Sequence, residues 1–382
     1  MIAGGRRLAR RRVLIVGAGP GGAAAALRLH GHGCDVLWVD RAEFPRPKVC
    51  GCCLNMAALS ALAPLGCDAL VRGLAGSELA HWQLRVAGRT VQASLPGGVA
   101  LSRTRLDVAL IEEGLRRGIE FRSGVVVKVV EVQSGQVTVR FAGSPADQRF
   151  DAVIWAAGLA GGGVSRWLPW IQAPTGPLGA AVVVDDLGGV EPRTIHMVCG
   201  PGGYVGLVRL EDGRIDVAAA LHHRGRSTRS DDRYGGKWAV HQRINAILAS
   251  GGIERLPESV AASLLTTPPL HRRRHCGAGG LLAVGDAAGY IEPFTGEGMA
   301  WAIQTGVAAA DCLVGEDGEG DGASDVGAEW RQRYAEMMRQ RQWLCRWLSR
   351  SLASPWRSRA LVAAIGWAPW AVRRAVQRLN AG

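Results

Sequence analysis

Lysine is almost missing from this chain of 382 residues. Lys48, Lys128 and Lys237 are the three present, so 42 of the 45 basic residues are arginines. The net charge of +12 is thus carried by arginine in an alanine- and glycine-rich chain. That skew follows composition, so no nucleic-acid partner is expected, although the positive field favours anionic cofactors or surfaces. Long apolar runs are missing as well, and none approaches the roughly 18 to 20 residues of a membrane-crossing helix. Cysteine pairing is the third absence. The nine cysteines are an odd number with no repeating frame and no second C-x-x-C pair. This argues against a disulfide scaffold or a four-ligand metal cage, and for a reducing, cytoplasmic location without a bound metal. The arginines at 6, 7 and 10 to 12 before an apolar stretch imitate a secretion signal, but the stretch reads better as a first strand.

Glycine is abundant, with 53 residues, and its densest use lies between Arg12 and Asp40. An apolar run, Val13 to Val16, is followed by Gly17-Ala-Gly19-Pro20-Gly21-Gly22, an alanine-rich helical stretch and a second apolar run ending in Asp40. Gly17 permits a tight turn, Gly19 lets the backbone approach a pyrophosphate, and Gly22 lets the helix pack closely on the sheet. Pro20 and Gly21 open the helix, whose free N–H groups and dipole favour an anion. Asp40, 23 residues after Gly17, has the spacing of a carboxylate that binds a ribose diol.

The spacing of elements predicts an α/β fold: a Rossmann-type nucleotide domain with an inserted antiparallel-sheet domain and a helical C-terminal tail. The first domain is expected in three pieces, residues 1–80, 99–170 and 271–314. Residues 81–98, a hairpin turning at Ala87 and Gly88, and 171–270 form the second domain. Residues 315–328, acidic and glycine-rich, read as a flexible loop, and 329–382 as helices interrupted at Pro355 and Pro369. Leu344, Trp347, Leu348 and Leu352 share one face of that tail beside Arg346 and Arg350. Such a face packs on the body, covers an apolar tunnel or rests on a membrane surface.

Three stretches together resemble the FAD-dependent oxidoreductases of the glutathione-reductase-like superfamily, above all the geranylgeranyl reductase group, relatives of aromatic hydroxylases and flavin halogenases. The first is the opening βαβ unit. The second is Lys48-Val-Cys50-Gly51. The third, Gly285-Asp286-Ala-Ala and then Pro293-Phe-Thr-Gly296-Glu297-Gly298-Met299, is the most specific. Weaker echoes lie at Arg103-x-x-Leu106-Asp107 and Gly203-Tyr204. The resemblance implies FAD as cofactor, with NADPH or another external reductant. Asp286 would hold a ribityl or ribose hydroxyl, and the glycine-rich helix start at Gly296 to Met299 would face the pyrimidine edge of the flavin. Arg41, Arg103, Val127 and Gly158 complete the expected contacts, and Cys50 and Tyr204 are the candidate catalytic residues. Cys52 and Cys53 stand beside Cys50, and His222-His223 has no visible partner in the sequence.

Two motifs of the relatives are missing. Ala157-Gly158 replaces the Asp-Gly usual in the hydroxylases, and the tryptophan-rich motif and active-site lysine of the halogenases are not found. The reading is therefore a reductase that delivers hydride to a double bond of an apolar prenyl or alkyl-aromatic compound. A monooxygenase acting on a phenolic or quinoid substrate and a flavin-binding electron-transfer protein are the alternatives.

Overall fold

Val13 to Val16 are almost fully buried, and their strand, Arg12–Val16, lies at the centre of a six-stranded sheet. Its neighbours are parallel: Asp35–Val39 on one side and Ala152–Trp155 on the other, followed by Leu281–Ala283. Runs buried on both faces are what a parallel sheet covered by helices requires. The computed structural model describes residues 10–75, 78–86, 88–133, 135–161, 163–200, 202–222, 236–291, 296–315 and 325–352, with only the backbone at 340–352.

The helix Pro20–Gly31 follows the first strand and is crossed by Gly298–Val314. Small residues permit the approach, since a Cβ on Gly306 would lie 2.2 Å from the Gly21 carbonyl oxygen. A third helix, Arg103–Arg116, is capped by the Ser102 hydroxyl and packs near the first helix. A separate three-stranded antiparallel sheet, Val127–Gln133, Gln136–Phe141 and Asp147–Phe150, extends the same apolar core.

The second layer is an eight-stranded sheet built mainly from Trp170–Val184, Thr194–Gly200, Gly203–Arg209, Ile215–Leu221 and Leu265–Arg274. Alternation along Ile215–Leu221 divides its faces. Ile215, Val217, Ala219 and Leu221 pack in a core with Val240, Ile244, Ile247 and Leu248 of the helix Gly236–Ser250. Asp216, Ala218 and Ala220 take the opposite face, toward the first domain.

Several expectations are corrected. The second sheet is mixed rather than antiparallel, because Thr194–Cys199 pairs in parallel with His81–Val86. It also takes in Leu265–Arg274 and Gly289–Tyr290, which cross the expected boundary at residue 270. The expected loop 315–328 ends in a helix, Val326–Leu352, whose second residue Gly327 touches the Gly277–Ala278 backbone; residues 316–324 lie outside the described residues. Pro355, Pro369 and the tail beyond Leu352 also lie outside them, as do the side chains of Leu344, Trp347, Leu348 and Leu352. Among the described residues no helix is long and apolar enough to cross a membrane.

Trp330 anchors that last helix. It is fully buried, stacks edge-on with Tyr334 and donates to the Ala283 carbonyl at 2.9 Å. Trp330→Phe keeps an aromatic ring but leaves a buried carbonyl unpaired, so urea unfolding should show a loss of about 1–2 kcal/mol.

Candidate functional site

The glycine turn is built by exclusion. Gly17 has φ +115°, and a Cβ there would lie 2.3 Å from the Ala156 oxygen; one on Gly22 would lie 1.9 Å from the Gly17 oxygen. Trp38 Nε1 donates to that same Gly17 oxygen at 3.0 Å. The turn therefore brings the start of Pro20–Gly31 against the ends of the central strands. The helix has Gly19 as its N-cap and no side chain occupying the free N–H groups.

Gly19, Pro20 and Gly21 open onto a solvent-open cavity between the two layers, ≈ 1370 Å³ with its mouth included. Lys48, Cys50 and Gly51 form its next wall, and Gly158, Arg103, Asp286, Gly296, Gly298 and Met299 also line it. Residues far apart in the chain thus meet. Lys48 Nζ lies 3.7 Å from Asp286, and it also stands 3.3 Å from where a Cβ on Gly158 would be. Burial, reinforced by Arg103, lowers the Lys48 pKa. Asp286 stands in a short 3-10 turn, Gly285–Ala287, rather than at the end of a strand as its apolar approach suggests. Thr305 secures that turn by accepting from the Gly285 N–H at 3.0 Å. The helix expected from Gly296 begins at Gly298, since Gly296 has φ +78°.

Arg103 is fixed by Asp107 through two bonds of 2.9 and 2.8 Å, with both side chains buried. Arg46, which sequence reasoning passed over, approaches Asp107 at 3.6 Å and Asp40 at 3.8 Å. Its only signal in the sequence is its place in the Phe44-Pro-Arg-Pro loop.

Other expected contacts fall outside the cavity wall. Gly17 and Gly22 serve packing. The Asp40 carboxylate accepts from the Ala18 N–H at 2.6 Å and the Ala42 N–H at 2.9 Å, bracing the turn. Arg41 is exposed, Val127 is buried in the core, and Glu297 is buried as the N-cap residue before Gly298. Pro293 and His223 lie outside the described residues, and His222 donates its N–H to the Gly202 oxygen.

The far side of the cavity comes from the second sheet. Trp82, Ile195, Met197, Tyr204, Val208 and Leu270 supply bulk, while Gly206, Ala218 and Ala220 keep the floor flat. Tyr204 thus shares the cavity with Cys50. Sequence reasoning missed most of this wall, because its members are spread over five strands that meet only through tertiary pairing.

Cys50 is the cavity-lining thiol whose pKa is lowered, whereas the hydrogen bond to Cys50 and burial push Cys52 well up, and burial does the same to Cys53. A hydrogen bond from the Cys52 side chain and the charges of Arg103 and Lys48 outweigh burial, and its pKa falls to about 6. It is therefore mostly thiolate above that pH. Among the described residues no group of three His, Cys, Asp or Glu is placed to hold a metal ion.

Residues 10–157 match the family model of a FAD binding domain. Over 364 residues the chain is 26% identical to a menaquinone reductase of Mycolicibacterium smegmatis, covering 84% of this chain and 79% of that protein. Over 352 residues it is 24% identical to a digeranylgeranylglycerophospholipid reductase of Methanocella arvoryzae, covering 86% and 82%. The chain is an FAD-dependent oxidoreductase. Among solved structures the flavoenzyme shares its fold with a flavoprotein/dehydrogenase from Cytophaga hutchinsonii, at TM-score 0.78 and 18% identity, over 97% of this chain and 92% of that one. It also shares it with the flavin-dependent halogenase CmlS, at TM-score 0.70 and 23% identity, over 86% of this chain and 62% of that one.

Proposed function

We propose that this flavoenzyme reduces a carbon–carbon double bond in the isoprenoid chain of an apolar quinone or lipid. The observation that carries the reading is the cavity itself: a Gly19–Gly21, Lys48 and Asp286 wall suited to FAD faces an apolar wall of Trp82, Ile195, Met197 and Leu270. The fit to the cofactor rests on the glycine cradle, where no Cβ is tolerated at Gly17 or Gly22, and on the uncapped start of Pro20–Gly31. The names of the two reductases support the substrate class.

In this reading the Gly19 and Gly21 N–H groups bind the pyrophosphate, and the Gly298–Val314 helix start and Asp286 take the flavin half. When bound, FAD supplies two-electron, hydride-level chemistry, drawing on NADPH or another external reductant. Lys48 stays paired with Asp286 and presents positive charge to the same wall. The sheet-side wall excludes water and aligns the chain, while Cys50 Sγ is the protein's proton-exchanging atom in the cavity. Tyr204 orients the substrate from the opposite side.

The test is product mass. Reduced protein incubated without oxygen with an unsaturated prenyl lipid, or with a prenylated quinone whose ring is blocked as its dimethyl ether, should yield a product about two mass units heavier per bond reduced. A product that gains one oxygen atom, and only in air, would show a monooxygenase instead.

A further inference from the structure

One buried acid near the cavity has no role in the account so far. Asp216 is 3% exposed, and its Oδ2 has no hydrogen-bond partner. It lies on Ile215–Leu221, directly opposite Val208 on one neighbouring strand and Val183 on the other, so neither adjacent strand offers it a charge. Register puts Asp216 and Val208 on the same face of the sheet. Val208 packs in a small cluster with Cys52 and Cys53, and Cys50 lies against that cluster. The ionisable groups near its carboxyl are the thiols of Cys50, Cys52 and Cys53.

The cysteine loop is shaped to complete the line. Cys52 adopts φ +50°, a left-handed conformation uncommon for a side chain other than glycine, asparagine or aspartate. That twist directs the Cys52 N–H to Cys50 Sγ at 3.4 Å, and the Cys52 thiol lies 3.9 Å from the Cys50 carbonyl oxygen. Cys50 faces the cavity with Arg103 and Lys48 nearby, each already paired, to Asp107 and Asp286 respectively. The charges around the line are therefore cationic at its cavity end and absent at its sheet end.

We propose that Asp216, Cys52 and Cys50 form a buried proton relay in which Asp216 stores the proton that Cys50 delivers to the substrate. The direction follows from the two ends. Burial and the Cys50 charge raise the Asp216 pKa well above the usual carboxylate range, while Cys50 is lowered to about 6. The buried, unpartnered Asp216 carboxyl thus favours its protonated form and Cys50 its thiolate, with the Cys52 thiol between them. Reduction of one double bond consumes one hydride, supplied by the reduced flavin, and one proton. Cys52 passes its proton to Cys50 and receives one from Asp216; Cys50 then protonates the second alkene carbon. The net change is one proton lost from Asp216, which solvent restores after product leaves.

The relay rests on the reductase reading for its purpose, but its test does not depend on product. The FAD-loaded full-length protein is treated with iodoacetamide across a pH series, and modification of Cys50 is read by peptide mass spectrometry. A shared proton makes Cys50 titrate in two steps, because the second ionisation belongs to the group. In Asp216→Asn the second step should vanish, and Asp216→Glu should restore it. Cys52→Ala should raise the Cys50 half-point by a unit or more, about a fivefold loss of thiolate at pH 6. Retained flavin absorbance checks that each variant is folded, and Cys52→Ala carries the test if Asp216→Asn loses flavin. Superimposed profiles for Asp216→Asn and wild type, or an unmoved half-point in Cys52→Ala, would overturn the relay. Loss of the two-mass-unit product with an intact two-step profile would instead count against the reductase reading alone.

Discussion

Gly22→Val should yield protein that purifies without FAD and unfolds with a stability loss of about 3 kcal/mol or more. The reason is steric and local. A Cβ at this position would lie 1.9 Å from the Gly17 carbonyl oxygen, and that oxygen is backbone, already fixed by the Trp38 indole at 3.0 Å. Neither partner is the free end of a flexible side chain. The helix would have to move off the central strands, and with it the N–H groups of Gly19 and Gly21 beside the cavity. Gly31, at the other end of the same helix, has nothing within 4 Å of its Cβ position. Gly31→Ala should therefore keep its flavin and change stability by no more than about 1 kcal/mol. Flavin absorbance per chain and urea midpoints decide both cases.

The second large effect is expected at Asp107. Asp107→Ala leaves Arg103 buried with no acceptor for either of its two bonds, and removes one of the carboxylates that Arg46 approaches. Breaking a buried pair from one side costs about 3–5 kcal/mol, because the remaining charge keeps its desolvation penalty. Arg103 also lines the cavity beside Gly19, so FAD should be held more weakly as the guanidinium loses its fixed geometry. Asp147→Ala breaks an ion pair with Arg140 on the exposed surface and should leave the urea midpoint unchanged. A midpoint for Asp107→Ala equal to that of Asp147→Ala would show that the buried pair is not what fixes Arg103.

Much of the nucleotide-binding layer is legible because its rules are local. Val13 to Val16, the glycines at 17, 19, 21 and 22 and the alanine-rich helix lie within one βαβ unit, where strand period, turn chemistry and helix packing act over a few residues. Lys48 and Asp286 were each identifiable by motif. Their 3.7 Å approach spans 238 residues of sequence and depends on Leu281–Ala283 entering the same sheet as Arg12–Val16. Asp40 lies where a ribose-binding carboxylate should, and its oxygens also brace the Ala18 and Ala42 N–H groups, a role its spacing does not announce. The apolar wall was less legible still. Met197 and Ala218 look like ordinary strand residues, and only the register of the second sheet turns them toward Cys50. Asp216 reads as one polar residue in an alternating strand until its burial is known.

The central claim is that electrons leave the flavin for an isoprenoid double bond, and flavin reoxidation without oxygen measures it most directly. Reduced protein would be mixed in an anaerobic stopped-flow cell with a prenylated naphthoquinone whose ring is blocked as its dimethyl ether, and separately with the same compound bearing a fully saturated chain. The account expects the oxidised flavin spectrum to return with the unsaturated chain and to stay absent with the saturated one. Equal reoxidation by both compounds, or by neither, would contradict it.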